Sequence, residues 1–299
     1  MQTTAAPKTC LVTGASGYLG SRVKATLQQR GWRVVELTRK PNPGDHTKYF
    51  VLGEDVSPDI FLGATALVHC AYDFKQLSWA DIHRVNVAGS EKLLRAARQA
   101  KIENIVYISS ISAFDDCRSL YGKAKLETEK IAHSVGAFVI RPGLIYGDSP
   151  DGMFGKLISQ VENAKVLPLF GGGSQIQYLI HEQDLTAFIG DCAAGKMPPP
   201  KTPVTIAHEQ PWTFRQLLEA IAKARGKKLK FLPVPWRLVW AGIKGAELCR
   251  VPLKFRSDSL VSLVYQNPSP DFSQSSSLLV YCRPFQMDLL TPETLGGRN

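Results

Sequence analysis

Residues 9–20 read TCLVTGASGYLG. A short apolar and β-branched run, Cys10 to Thr13, is followed at once by glycines 14, 17 and 20 and then by the amphipathic segment Ser21 to Arg30, which stops at Gly31. Strand, glycine turn and helix in that order form a cradle for a pyrophosphate. Backbone without side chains turns tightly and approaches the phosphates closely, while the helix start presents unpaired N–H groups and a positive dipole end to their oxygens. Gly14, Gly17, Tyr18, Leu19 and Gly20 are therefore the candidate cofactor contacts. The competing reading is a purely structural glycine turn, and the strand-to-helix context argues against it.

The same alternation continues outward from this stretch. Val34 to Thr38, Ala66 to Cys70, Ile105 to Ser109 and Ala137 to Arg141 read as strands. About Ala80 to Ala100, and Lys123 to Ser134 with Gly136 as its stop, read as helices. Repeated βαβ units feed a parallel sheet. The expected fold class is α/β, a Rossmann-type doubly wound parallel sheet with a smaller C-terminal α+β substrate-binding part. Residues 1–145 would form the dinucleotide-binding Rossmann domain, which also takes in part of 175–210, and 146–299 the mostly substrate-binding, discontinuous part. Punctuation thickens after Arg141, with glycines 171–173 and MPPPKTP at 197–203. Beyond it, Thr213 and Gln216 make a capping-box pattern ahead of Leu217, Leu218, Ile221 and Ala222, and Gly226 ends that helix. The serine-rich tail from about Asp271 carries no assignable pattern.

A chain of 299 residues, 44% hydrophobic and 21% charged, can bury a large core, which excludes disorder, collagen and a small disulfide scaffold. No stretch approaches the roughly 18 uninterrupted apolar residues of a membrane span, and the amino terminus MQTTAAPKTCLVTG shows no apolar run of signal-peptide length, so the chain reads as cytoplasmic. The six cysteines lack C-x-x-C spacing and the six histidines lack H-x-x-x-H spacing, which argues against a metal or disulfide frame. The net charge of +10 is local: residues 201–256 hold 12 of the 36 basic residues and 3 of the 26 acidic ones.

Cofactor identity turns on the end of the second strand, where NAD-binding proteins place an acid for the adenosine ribose hydroxyls. Here VVELT ends at Thr38 and is followed by Arg39 and Lys40. A guanidinium at that point suits a 2′-phosphate through charge-assisted bonds, so NADP is favoured over NAD. Glu36, two residues earlier, is the complicating acid, and a solvated Arg39–Lys40 loop is the plain alternative.

YGKAK sets Tyr121 and Lys125 one helical turn apart on one face. A phenol is a poor acid-base catalyst at neutral pH, and an adjacent ammonium would favour its phenolate. On TGASGYLG, YISSIS at 107–112, YGKAK, RVNVAGS at 84–90 and RPGLIYG at 141–147, the chain resembles the extended short-chain dehydrogenase/reductase superfamily, its epimerase/dehydratase-like branch, over roughly residues 8–240. The resemblance implies that Tyr121 is the acid-base residue, that Lys125 lowers its pKa and holds the nicotinamide ribose, and that Ser110, with Ser109 in reserve, polarises the substrate oxygen. It implies further that Asn86 supports a proton-relay water, that Asp55 and Val56 flank the adenine, that Cys70 and Ala71 line the cofactor, and that Pro142, Gly143 and Leu144 back the nicotinamide. Pairing through the helices of Asn86 and Tyr121 would give a homodimer.

The sequence also departs from that branch. Gln177 stands where nucleotide-sugar enzymes carry a diphosphate-gripping arginine, and Phe114-Asp115 replaces the usual Tyr-Gly. His181 and Asp184 keep the shape of the second-domain anchor and read as a structural pair, while Asp115 and Asp116 read as solvated. The expected function is NAD(P)-dependent hydride transfer between NADP(H) and a small-molecule carbonyl or alcohol. The alternatives are a nucleotide-sugar epimerase or dehydratase and, in another class, a non-catalytic nucleotide-binding regulator or assembly subunit. The basic, tryptophan-bearing segment 223–248 is a candidate for peripheral contact with an anionic membrane, weighed against a solvated helix face. Nucleic-acid binding is not expected, because no recognition motif accompanies the charge.

Overall fold

The computed structural model describes residues 7–286 except 43, 45, 148–150, 250, 252 and 254, so the outer ends of the two expected parts, 1–6 and 287–299, lie outside the described residues. The chain runs β1 (Thr9–Thr13), α1 (Tyr18–Gln29), β2 (Arg33–Thr38), β3 (Thr47–Tyr49), β4 (Ala66–His69), α2 (Trp79–Ile82), α3 (Ala88–Gln99), β5 (Asn104–Ile108), α4 (Leu120–Ser134) and β6 (Phe138–Pro142). These strands, joined by the later β11 (Val204–Ile206), form a seven-stranded sheet in the order β11-β6-β5-β4-β1-β2-β3, with every pairing parallel. The strand order reverses between β1 and β4, which places the Gly14–Gly20 turn at the crevice where doubly wound sheets bind ligands.

Period-two alternation builds the two layers of the core. Cys10 and Val12 face one side with Val68, Val106 and Ile140, against Val23 and Leu27 of α1 and Leu185, Phe188 and Ile189 of α6 (Glu182–Ala193). Leu11 faces the other side with Val35, Leu67, Ile105 and Val139, against Leu93, Leu94 and Ala97 of α3. Strands covered on both faces carry no polar alternation, so β1 and β4 read as continuous apolar runs.

The stretch between β6 and β11 leaves the sheet and returns to it. It contains β7 (Leu144–Tyr146), α5 (Gly152–Asn163), β8 (Val166–Phe170), β9 (Ile176–Gln177), β10 (Leu179–His181) and α6, which packs on α1. After β11 come β12 (Trp212–Thr213), α7 (Phe214–Ala224), β13 (Lys230–Val234), α8 (Trp236–Leu248), α9 (Ser257–Val264) and α10 (Ser273–Ser277). Three two-stranded pairings, β10 with β7, β12 with β9 and β13 with β8, frame a separate core of Phe154, Leu157, Leu169, Leu217, Leu218, Ile221 and Phe285. The capping box at the start of α7 is present, Thr213 and Gln216 satisfying each other's backbone amides. Helix α9 lies outside this second core, against α4 and α8.

The helical stretch expected from about Ala80 to Ala100 is present, running without a gap from α2 into α3. Residues His83–Val87 form a π-helical turn between α2 and α3. The inserted residue turns Asn86 inward, where its Oδ1 accepts from Asp73 N at 2.6 Å and its Nδ2 donates to Asp73 O at 3.1 Å.

Candidate active site

The glycine turn has the shape its sequence demands. Gly14 has φ +66°, and a Cβ there would lie 3.0 Å from Ala71 N. A Cβ on Gly20 would lie 2.1 Å from Gly14 O. Gly14 therefore lets β1 turn beside Cys70–Ala71, and Gly20 lets α1 press onto the turn. At Gly17 the backbone is extended and the nearest outside atom to a Cβ is Gly14 O at 3.2 Å, so this glycine faces the space in front of the turn. No side chain caps α1, which leaves its first amides to an anion. A cradle kept empty of Cβ atoms at a helix start fits a dinucleotide pyrophosphate. Of the flanking pair, Leu19 packs on the sheet core, and Tyr18 donates its hydroxyl to Glu182 at 2.5 Å while the Arg22 guanidinium lies 3.7 Å over its ring.

Beneath the turn runs a buried chain of hydrogen bonds. Thr13 Oγ1 accepts from Cys70 N and Ala71 N, both at 3.1 Å, so its proton goes to His69 Nδ1 at 2.7 Å. His69 Nε2 then donates to Ser90 Oγ at 2.8 Å, and Ser90 donates to Asn86 O at 2.5 Å. This order fixes the imidazole as the neutral Nε2–H form. Burial, helped by the nearby Lys125 charge, depresses its pKa from 6.5 to about 3. Asn86, implied by the resemblance to support a relay water, is here joined to the cradle through its backbone carbonyl while its amide holds Asp73.

Tyr121, Ser110 and Lys125 come together at the C-terminal edge of β5. Ser110 Oγ accepts from Ser112 N at 3.1 Å and lies beside the Tyr121 phenol, whose upward shift it opposes. Ser109, one residue earlier, points the other way and donates to the buried Glu129, which Arg141 holds through two bonds of 2.7 and 2.6 Å. Lys125 is buried, donates to Ile108 O at 2.8 Å and sits over the rings of Tyr107, Tyr72 and Tyr121 at 5.0, 5.3 and 5.9 Å. Burial lowers its pKa to about 8. The expected depression of the phenol by this ammonium does not dominate. Burial pushes Tyr121 up to about 12, with the nearby Ser110 hydroxyl opposing.

The other expected residues take separate places in the fold. Pro142 O accepts from Ile111 N at 3.0 Å, which ties the Ser110 loop to β6. Gly143 has no room for a Cβ, which would meet Tyr178 O at 2.3 Å, and Leu144 N donates to Tyr178 O at 2.7 Å. Val56 packs on the core, while Asp55 is exposed and pairs with Lys92 at 2.6 Å. Arg39 is exposed at the end of β2, and Glu36 is engaged by Lys24 of α1 at 2.5 Å. His181 accepts from Gln183 N and stacks edge-on to Tyr146, whereas Asp184 binds Arg283 of the C-terminal segment, so each has its own structural partner. Gln177 is buried and donates to Gln266 at 2.8 Å. Asp115 and Asp116 are both exposed.

Sequence reading missed three contributors. Tyr72 and Phe74 wall the phenol, with ring centroids 5.0 and 5.7 Å from that of Tyr121. Their signal was in plain view, since CAYDF leads straight out of the strand end at Cys70–Ala71. Asp258 of α9 accepts from Leu120 N at 2.7 Å and Tyr121 N at 3.0 Å, clasping the first turn of α4. Nothing local in the sequence marks it.

The sequence model of the NAD dependent epimerase/dehydratase family matches residues 10–190. A ceramide reductase of Caulobacter vibrioides is 27% identical over 241 residues, 75% of this chain and 73% of that protein. A 3-beta-hydroxysteroid dehydrogenase of Mycolicibacterium neoaurum is 27% identical over 288 residues, 79% of this chain and 75% of that protein. Among solved structures, MoeE5 in complex with UDP-glucuronic acid and NAD shares the fold, with a TM-score of 0.66 at 22% identity, over 76% of this chain and 85% of that one.

Proposed function

The chain belongs to the NAD dependent epimerase/dehydratase family, whose chemistry is NAD(P)-dependent oxidoreduction, and from that premise we propose that it is an NADPH-dependent reductase of an apolar ketone. The observation that carries the reading is the phenol of Tyr121, kept protonated by burial, set beside Ser110 and walled by Tyr72 and Phe74.

When bound, the nicotinamide supplies a hydride to the carbonyl carbon. Gly14, Gly17, Gly20 and the first amides of α1 would hold the pyrophosphate. A phenol near pKa 12 is in its acid form at neutral pH and remains a far stronger acid than an alcohol, so Tyr121 delivers its proton to the substrate oxygen in the reductive direction. Ser110 holds that oxygen and the phenol together and stabilises the phenolate as it forms. Lys125, fixed on Ile108 O, gives the pocket a cation that offsets the same charge.

Two features favour NADP and an apolar substrate. Glu36 is neutralised by Lys24, which leaves the exposed Arg39 and Lys40 as the charges presented at the end of β2. The neutral Gln177 amide, engaged by Gln266, offers no clamp for a diphosphate, which argues against a nucleotide sugar. The apolar substrate also matches the printed names of the two relatives, a ceramide reductase and a hydroxysteroid dehydrogenase. The test is calorimetric titration of nucleotide-free protein with NADPH and NADH, followed by a panel of ketones. The reading expects tighter NADPH binding that is lost in Arg39→Ala, and net NADPH consumption with long-chain or polycyclic ketones. Equal binding of the two nucleotides, or turnover of a nucleotide sugar without net redox, would overturn it.

A further inference from the structure

Helix α8 buries none of its side chains. Trp236, Val239 and Ile243 are half-buried toward α9, with the Trp236 ring edge-on to Tyr265 at 5.5 Å. The opposite stripe, Leu238, Ala241, Gly242, Gly245 and Leu248, is exposed along its whole length. Leu238 is 70% and Leu248 76% exposed, and a Cβ on Gly242 or Gly245 would meet nothing within 4 Å. Leu232 on β13 and Trp240 on α8 are exposed as well.

The same segment is strongly basic. Residues 223–248 contain seven basic residues and one acidic residue, and Lys223, Lys227, Lys228, Lys230 and Arg237 are all exposed. The single acid, Glu247, is turned inward to Ser257 N and Oγ at 2.8 and 2.6 Å. A second copy of this chain packed on the same patch would set these cations against their own counterparts. An anionic lipid surface matches both features, taking the apolar stripe below its headgroups and the lysines at their level.

Helix α9 connects α8 to the candidate active site. Arg256, at the start of α9, donates to Phe74 O and Gln76 O, both at 2.7 Å. Phe74 stacks on Tyr121 and is itself 58% exposed. Helix α9 therefore joins α8 to the aromatic wall of Tyr121.

We propose that residues 223–248 dock the protein on an anionic membrane surface, with the Leu238–Leu248 stripe of α8 in the interface and the opening at Phe74 beside it. Binding is read without turnover, so this inference stands or falls apart from the reductase reading. The experiment is co-sedimentation of the full chain with vesicles of phosphatidylcholine alone and of phosphatidylcholine with phosphatidylglycerol, at low and high salt, with the oligomeric state measured in the same samples. Partition to the phosphatidylglycerol vesicles, weakened by salt, is expected. A Lys227→Glu/Lys228→Glu variant should lose about thirtyfold in partition, at about fivefold for each lysine, and Leu238→Glu should abolish it. Both variants are solvent-facing, and circular dichroism should show their fold unchanged. Absence of partition to anionic vesicles at low salt would overturn the proposal, as would equal partition to both vesicle types. A dimer abolished by Leu238→Glu, without vesicle binding, would overturn it in favour of a second copy.

Discussion

Acid should destabilise the nucleotide-free protein through His69. The imidazole is fully buried between Thr13 and Ser90, and its pKa is held at about 3 against 6.5 in the unfolded chain. Because the folded value is the lower one, the unfolded state binds the extra proton first. The stability tied to the neutral ring is complete above 6.5 and is lost as pH falls from there toward 3. At about 1.4 kcal/mol per pH unit, going from about pH 7.5 to about pH 5 removes ~2 kcal/mol. The perturbation is His69→Gln, which keeps a donor and an acceptor but cannot charge. Urea unfolding of wild type and variant at both pH values gives the answer, because the background titration of surface carboxylates cancels between them. Wild type should lose about 2 kcal/mol more than the variant over that interval. Equal losses would mean that the folded protein accepts the proton on His69, and the directed chain from Thr13 to Asn86 would be refuted.

Other outcomes follow from single contacts. Arg141→Met leaves Glu129 buried with only Ser109 for company; urea unfolding should show a loss of about 3–5 kcal/mol. Gly17→Ala should melt close to wild type yet bind nucleotide about tenfold or more weakly in calorimetry, since its Cβ enters the phosphate space. Gly20→Ala should instead lose about 1–3 kcal/mol of stability, because its Cβ collides with Gly14 O. Asp258→Asn removes the charge at the first turn of α4 and should cost about 1 kcal/mol. Its steady-state kinetics should show a lower kcat with nucleotide KM unchanged.

The nucleotide half was legible because its signals are local. TCLVTGASGYLG carries strand, turn and helix in twelve residues, and continuous apolar runs mark strands buried on both faces. Boundaries slipped where a glycine or a tertiary contact intervened. Helix α4 begins at Leu120 rather than near Lys123, because Ser119 caps Gly122 N and Asp258 takes the two amides before it. The π-helical turn at His83–Val87 rests on the bonds between Asn86 and the Asp73 backbone, which no periodicity reports. Strands β7 to β10, β12 and β13 have two to five residues each, and β8 and β13 both contain a proline, so their pairing is decided by distant partners rather than by pattern. Within the site, the Tyr121–Lys125 spacing was visible. The direction of the phenol's shift was not, since it depends on burial that only the tertiary packing around the ring supplies.

The central claim is that Tyr121 hands a proton to a ketone reduced at the expense of NADPH. The most direct measurement is NADPH oxidation by wild type and Tyr121→Phe on the best ketone of the panel, with NADPH affinity measured for both by calorimetry. The account predicts that Tyr121→Phe binds NADPH as wild type does and loses turnover by about a hundredfold or more. Undiminished turnover in Tyr121→Phe, with NADPH binding intact, would contradict it.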